Sequence, residues 1–309
     1  MLDIHTESFV WSRVFGYDVR QSHGRGLLGA RLYSQADLPR MVAGGLTGAV
    51  LSIATNPLRR VSVLGPNVGR LRVMLEGSAA VVTSVGEYRA ARAEGRFACF
   101  LAVQGGNAVG SVAELPPEIT RVTLVHLTRS RIGSPSAPLG GAGGLTPFGQ
   151  DYVAGLNDRR ILVDLAHANT ATFWDALAVH NRDLPPIVSH TGVSGVHRSW
   201  RNIGDDQIRA VAERGGVVGI MYHRGFLGGS TSEAVLRHLE HVIAVGGEAA
   251  AALGSDWDGM IVTPSDMPTA ADLPVLVAGM VRRGWSQSRV RAVVGGNYLR
   301  VMAAARPAT

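Results

Sequence analysis

Seven side chains in this sequence are of types that could hold a divalent cation and move protons beside it: His5, Glu7, Gln104, His126, His167, His190 and Asp256. Imidazole nitrogens and carboxylate oxygens together form the mixed donor set that Zn2+ or a similar ion takes. Each of these residues stands at or just past the end of a short apolar run. His5 and Glu7 are two residues apart, which puts both on one side of an extended chain. The runs ILVDLAH (161–167) and PPIVSH (185–190) each stop on a histidine, and a helical segment separates them. A single histidine of this kind is usually a satisfied core residue. Ligand types recurring at successive run ends are hard to explain by core packing.

Such residues meet only if the runs are parallel strands of one sheet, whose carboxyl ends are free of packing duty. The sequence offers eight strands: Leu2–His5, Ala49–Ala54, Ala98–Val103, Arg121–His126, Ile161–His167, Ile187–His190, Val217–Tyr222 and Ala251–Asp256. Helices are expected over Ser34–Ala43, Ser84–Glu94, Pro147–Asn157, Thr170–His180, Asp205–Glu213, Ser232–Val245, Ala270–Arg282 and Ser286–Ala304. Thr146-Pro147 and Gly204-Asp205 read as helix starts, and Gly95, Gly215 and Gly246 as stops. Short β-branched runs alternating with helices close most naturally into a (β/α)8 TIM barrel. An open doubly wound sheet would need a different first turn, and no GxGxxG follows the first strand.

The 309 residues contain no linker, charge block or low-complexity tract, so one barrel domain over 1–309 is expected. The hydrophobic fraction of 46% supplies a large core. No apolar run approaches the roughly 20 residues that span a bilayer. The opening MLDIHTES lacks a signal-peptide layout, and the single cysteine, Cys99, suits a reducing compartment. These features predict a cytoplasmic protein with no membrane partner. The formal charge of +6 comes from 30 arginines and no lysine, scattered without a basic helix, so nucleic acid is not an expected partner.

Other polar residues look bland. Cys99 lies inside ACFLAV and reads as a core thiol, His238 and His241 as a solvated helix face, and Asp164 as a structural salt-bridge partner. His23, His180 and His197 have no evident partner. The absence of GxSxG and of a P-loop leaves serine acyl transfer and nucleotide hydrolysis without support.

The chain resembles the membrane dipeptidase (renal dipeptidase) family of zinc-dependent hydrolases. The resemblance is carried by DIHTE (3–7), VQGGNAV (103–109), TLVH (123–126), GLTPFGQDYVAGLNDRRILVDLAH (144–167), IVSHTG (187–192), Arg201-Asn202, GSDWDG (254–259) and GGNYLRV (295–301). It implies a barrel of the metallo-dependent hydrolase type that cleaves dipeptides and similar small amides with two bridged zinc ions. On that resemblance His5, Glu7 and Asp256 would bind one metal, and His167 and His190 the other. Asp256 would also activate the attacking water. His126 would steady the scissile carbonyl, and Arg201 would pair with a substrate carboxylate, with Tyr222 beside them in substrate binding.

Two positions depart from the family pattern. Glu7 stands where the family has Asp, and Gln104 where it has the bridging Glu. An amide is neutral and cannot hold two cations as a carboxylate does, and a chain without lysine cannot supply a carbamylated one. One strongly bound Zn2+ is therefore expected, with a second weak or absent. The expected function is a divergent metal-dependent hydrolase acting on a small amide that bears a carboxylate. The alternatives are the same scaffold turned to non-hydrolytic chemistry (cyclisation, dehydration or isomerisation) or a catalytically silent binding protein. Whether the chain forms a homodimer stays open.

Overall fold

The run FACFLAVQ is buried at every position, as a parallel strand covered on both faces must be. It forms β4 (Phe97–Gln104) in a computed structural model that describes residues 1–26, 28–54, 64–106 and 110–307. Asn107–Val109, the tail of the VQGGNAV motif, lies outside the described residues. The other strands are β1 (Leu2–Thr6), β2 (Gly48–Ala54), β3 (Ala79–Val81), β5 (Ile119–Thr123), β6 (Leu162–Asp164), β7 (Ile187–Thr191), β8 (Val217–Ile220) and β9 (Ala251–Leu253).

All pairings are parallel, in the order β1-β2-β4-β5-β6-β7-β8-β9. The ring closes where the Asp256 N–H donates to the His5 carbonyl (3.1 Å) and the Glu7 N–H to the Trp257 carbonyl (2.8 Å). With helices between the strands this is the expected (β/α)8 barrel. The ninth strand, β3, was not expected. It pairs with the first half of β4, below the point where β5 takes over that edge.

Alternate strand residues go to two different cores. Leu2, Ile4, Val50, Phe100, Leu162, Ile187, Val217 and Ala252 cluster with Tyr298 and Met302. Residues from strands all round the ring meet only inside the barrel, so this is its floor. Cys99, Leu101 and Val103 join the outer core beneath the helices. Burial pushes the Cys99 thiol up to about 12, as befits a core thiol. Among the described residues no helix is long and apolar enough to cross a membrane.

Several boundaries differ from expectation for local reasons. The helix expected from Ser34 starts at Leu38, because the Asp37 side chain caps it by accepting from the Arg40 N–H. The long C-terminal helix is interrupted over Ala292–Gly296, where Gly295 adopts φ 146° against Leu2. Helices Ser8–Phe15 and Leu64–Leu75 were not anticipated.

Gly254 follows β9 and sits against β7: a Cβ there would stand 1.8 Å from the Ser189 carbonyl oxygen. Gly254→Ala should therefore force the strands apart and cost at least about 2 kcal/mol. The urea midpoint reads this directly, and an unchanged midpoint would contradict so close an approach.

Candidate metal centre

The strand ends of the barrel surround a cavity of about 370 Å3. Glu7, Gln104, His126, His167, Arg201 and Asp256 line it, and His5 and His190 lie buried directly behind. His5 Nε2 is 3.3 Å from Glu7 Oε1 and 3.5 Å from Asp256 Oδ1. The His5 and His190 rings stack with centroids 3.7 Å apart. His167 Nε2 is 2.8 Å from His190 Nε2, a spacing at which two ring nitrogens share a proton or converge on one cation. His5, His190 and Asp256 each present a donor atom within 4.8 Å of the others.

Local backbone geometry aims these groups. His167 and Asp256 hold φ of 63° and 61°, in the left-handed region that costs a non-glycine residue about 1–2 kcal/mol. Neither continues its strand: β6 ends at Asp164 and β9 at Leu253, short of the expected ends at His167 and Asp256. Strain of this kind gathers where a side chain must be aimed rather than packed.

The histidine His190 is oriented through a buried chain. Thr123 and Ser189 both donate hydroxyl protons to Asp164 Oδ2, at 2.6 Å each. With its proton committed, Ser189 Oγ accepts from His190 Nδ1–H at 2.8 Å. His190 Nε2 is left with its lone pair, the form a metal ligand needs. Asp164 does lie near an arginine, Arg121 Nε at 3.5 Å, but it also orients His190.

Electrostatics favour a cation here. Burial, then the neighbouring Asp256, pushes the Glu7 carboxyl well above its usual range. Burial takes Asp256 up to about 8, partly offset by Arg201. Burial also drives His5, His167 and His190 well below the ordinary imidazole value, with Arg121 adding to this at His5. Neutral imidazoles beside carboxylates that need positive charge to ionise suit a divalent ion. Both Glu7 oxygens and His167 Nδ1 are buried without a hydrogen-bond partner. The donor set therefore fits the ion.

At the rim, Gln104 Nε2 contacts His126 Nε2 at 3.0 Å. An amide nitrogen donates, so His126 keeps its own proton on Nδ1. Burial lowers His126 to about 4, so the ring stays neutral at physiological pH. Arg201 lines the cavity and donates Nη2–H to the His190 carbonyl at 2.7 Å. Tyr222, expected at the substrate, is fully buried edge-on to Trp257 and does not line the cavity. Its neighbours Met221 and His223 form that part of the wall.

Away from the cavity, His238 is not a solvated residue. It is fully buried, accepting from the Val193 N–H at 2.9 Å and meeting the Leu227 carbonyl at 3.1 Å. His241 pairs with Asp205, His180 with the Leu184 carbonyl and His23 with the Asp18 carbonyl.

Sequence reasoning missed the apolar side of the cavity, built by Val10, Leu127, Trp200, Phe226, Met260 and Ile261 from loops rather than strand ends. It also missed Arg121, although a charge inside the apolar stretch ITRVTLV was the visible signal.

A barrel with histidines and carboxylates gathered round a cavity at its carboxyl end defines a metallo-dependent hydrolase scaffold. The chain belongs to the membrane dipeptidase family (Peptidase family M19), whose sequence pattern matches residues 17–308. It is similar to the metallo peptidase dipeptidase AC, with TM-score 0.84 and 24% identity over 99% of this chain and 98% of that one. It is also similar to a Rhodobacter sphaeroides metallo peptidase liganded with a phosphinate mimic of the dipeptide L-Ala-D-Ala. There the TM-score is 0.81 and the identity 24%, over 98% of each chain. A Klebsiella pneumoniae relative, "Uncharacterized protein in pqqA 5'region", is 33% identical over 166 residues. That match spans 52% of this chain and 60% of the relative's length.

Proposed function

We propose that the protein hydrolyses the amide bond of a dipeptide or similar small amide carrying a free carboxylate, using one strongly held divalent cation, with zinc the best fit to the donors. The observation that carries this reading is the convergence of His167, Asp256, His126 and Arg201 on one cavity, with His190 directly behind it against His167. The family and the dipeptide mimic held by the Rhodobacter sphaeroides protein support the substrate class.

His167, His190 and Asp256 would hold the ion, with His5, Glu7 and Gln104 beside it. When bound, a divalent cation supplies Lewis-acid polarisation and makes water more acidic. Asp256 takes the proton of the attacking water on its carboxylate and returns it to the amide nitrogen as the C–N bond breaks and the amine leaves. His126, kept neutral and protonated on Nδ1, donates to the carbonyl oxygen as charge develops there. Arg201 pairs with the substrate carboxylate through its planar fork. The apolar wall formed by Trp200, Phe226 and Met260 receives a substrate side chain and keeps water out.

The test is a panel of dipeptides, LL and LD, with zinc-loaded protein and release of free amino acid as readout. Turnover within the panel is expected, and none across it would overturn the reading. Gln104 favours the second reading, non-hydrolytic chemistry on the same scaffold, because a neutral amide stands beside His126 where the family pattern has a carboxylate. A panel that binds at the cavity without cleavage would favour that one.

Arg201 gives a sharper check. A substrate whose carboxylate is converted to the amide should bind more weakly by roughly 1.5–3 kcal/mol, the value of a lost charge-assisted hydrogen bond. Arg201→Ala should erase that discrimination. Equal discrimination in both proteins would remove Arg201 as the clamp.

A further inference from the structure

Arg121 lies on β5, wholly buried, yet its partners belong to β1 and β6. β1 is three places from β5 in the ring, so the side chain crosses the barrel interior. Its guanidinium donates to the Ile4 carbonyl, and Nη2 stands 2.8 Å from His5 Nδ1. A guanidinium has five N–H donors and no acceptor. His5 Nδ1 must therefore present its lone pair, and the one proton of the neutral ring sits on Nε2. That nitrogen lies between Glu7 Oε1 at 3.3 Å and Asp256 Oδ1 at 3.5 Å. A nitrogen carrying a proton has no lone pair to give a metal. The stacked partner His190 is the reverse case, with its proton on Nδ1 towards Ser189 and a bare Nε2.

We propose that Arg121 is a positioning residue that fixes His5 as the Nε2–H tautomer, so that His5 turns a protonated nitrogen towards Glu7 and Asp256 and is not a metal ligand. The inference rests on the one-cation reading above and gives it a second cause besides Gln104. Arg121 brings a permanent positive charge into the floor of the site, on the side where a second ion would lie. Gln104→Glu alone should then leave the metal content near one per chain, because His5 remains unavailable. Gln104→Glu combined with Arg121→Met should raise it towards two.

The direct test uses the unmutated protein labelled with 15N-histidine and titrated with 113Cd2+. Ring nitrogens report their tautomer by chemical shift, and a bound nitrogen shows 113Cd–15N coupling. His5 is assigned by its loss in His5→Gln. The expected result is a protonated Nε2 at His5 before and after cadmium, with coupling confined to His167 and His190. Cadmium coupling to His5 would overturn the proposal, whatever the stoichiometry. Two bound ions with no coupling to His5 would instead overturn the one-cation reading and leave the tautomer standing. The variants add an independent arm: two ions in Gln104→Glu alone, or one in a folded double variant, would remove Arg121 as the barrier. The labelled protein carries the test even if Arg121→Met does not fold.

Discussion

Asp256→Asn is expected to lower dipeptide hydrolysis by about a thousandfold, within the range a positioned acid–base group contributes, while the protein stays folded. The variant is chosen for its backbone. Asp256 sits at φ 61°, and Asn is among the few residues that tolerate the left-handed region. The change is nearly isosteric, so the Asp256 N–H can still donate to the His5 carbonyl where the barrel closes. What disappears is the carboxylate that takes the water proton, and with it part of the charge facing the cation. Metal content measured on the same sample separates those two losses. A tenfold effect or less would show that another group accepts the proton, and Glu7 would be the next candidate.

The barrel was readable because buried parallel strands are continuous apolar runs, and eight of them alternate with helices. The clustering of His5, Gln104, His126, His167 and His190 was readable because those residues end or closely follow strands, and strand ends share one pole of the ring. Less legible were features set by backbone turns and by long side chains. Asp256 was expected at the tip of a strand, whereas β9 stops at Leu253 and a left-handed turn brings the carboxylate round. No propensity signals such a conformation in a residue other than glycine. Tyr222 was expected beside the substrate at the end of the strand Val217–Tyr222, but it is Met221 and His223 that line the cavity. Arg121 was invisible as a functional residue because its reach depends on the curvature of the barrel, which brings β1 within reach of a side chain on β5, three strands away. β3 has three residues, too few to show a period.

Removal of the cation has the second large expected effect. Stripping the protein with a chelator should abolish turnover, and zinc should restore it. It should also lower thermal stability, because an ion that binds only the folded chain stabilises it by mass action. At a free concentration about a thousandfold above Kd that stabilisation is roughly 4 kcal/mol, which corresponds to a shift in Tm on the order of 10 °C for a chain of this size. The cause lies in the centre itself. Without the ion, Glu7, Asp256 and three histidines share a buried site in which burial opposes every charged form. Titrating zinc back while recording Tm should give saturation at a single equivalent. An unchanged Tm after stripping, with activity intact, would mean that the residues are held together by packing alone and that the cation has no part in the reaction.

The central claim, one strongly held divalent cation, is tested most directly by elemental analysis of the unmutated protein. The sample is loaded with excess zinc, passed through gel filtration in metal-free buffer and measured at matched protein concentration. The prediction is one zinc per chain. Two tightly held ions per chain would contradict it, showing that neither Gln104 nor the buried charge of Arg121 keeps a second cation out.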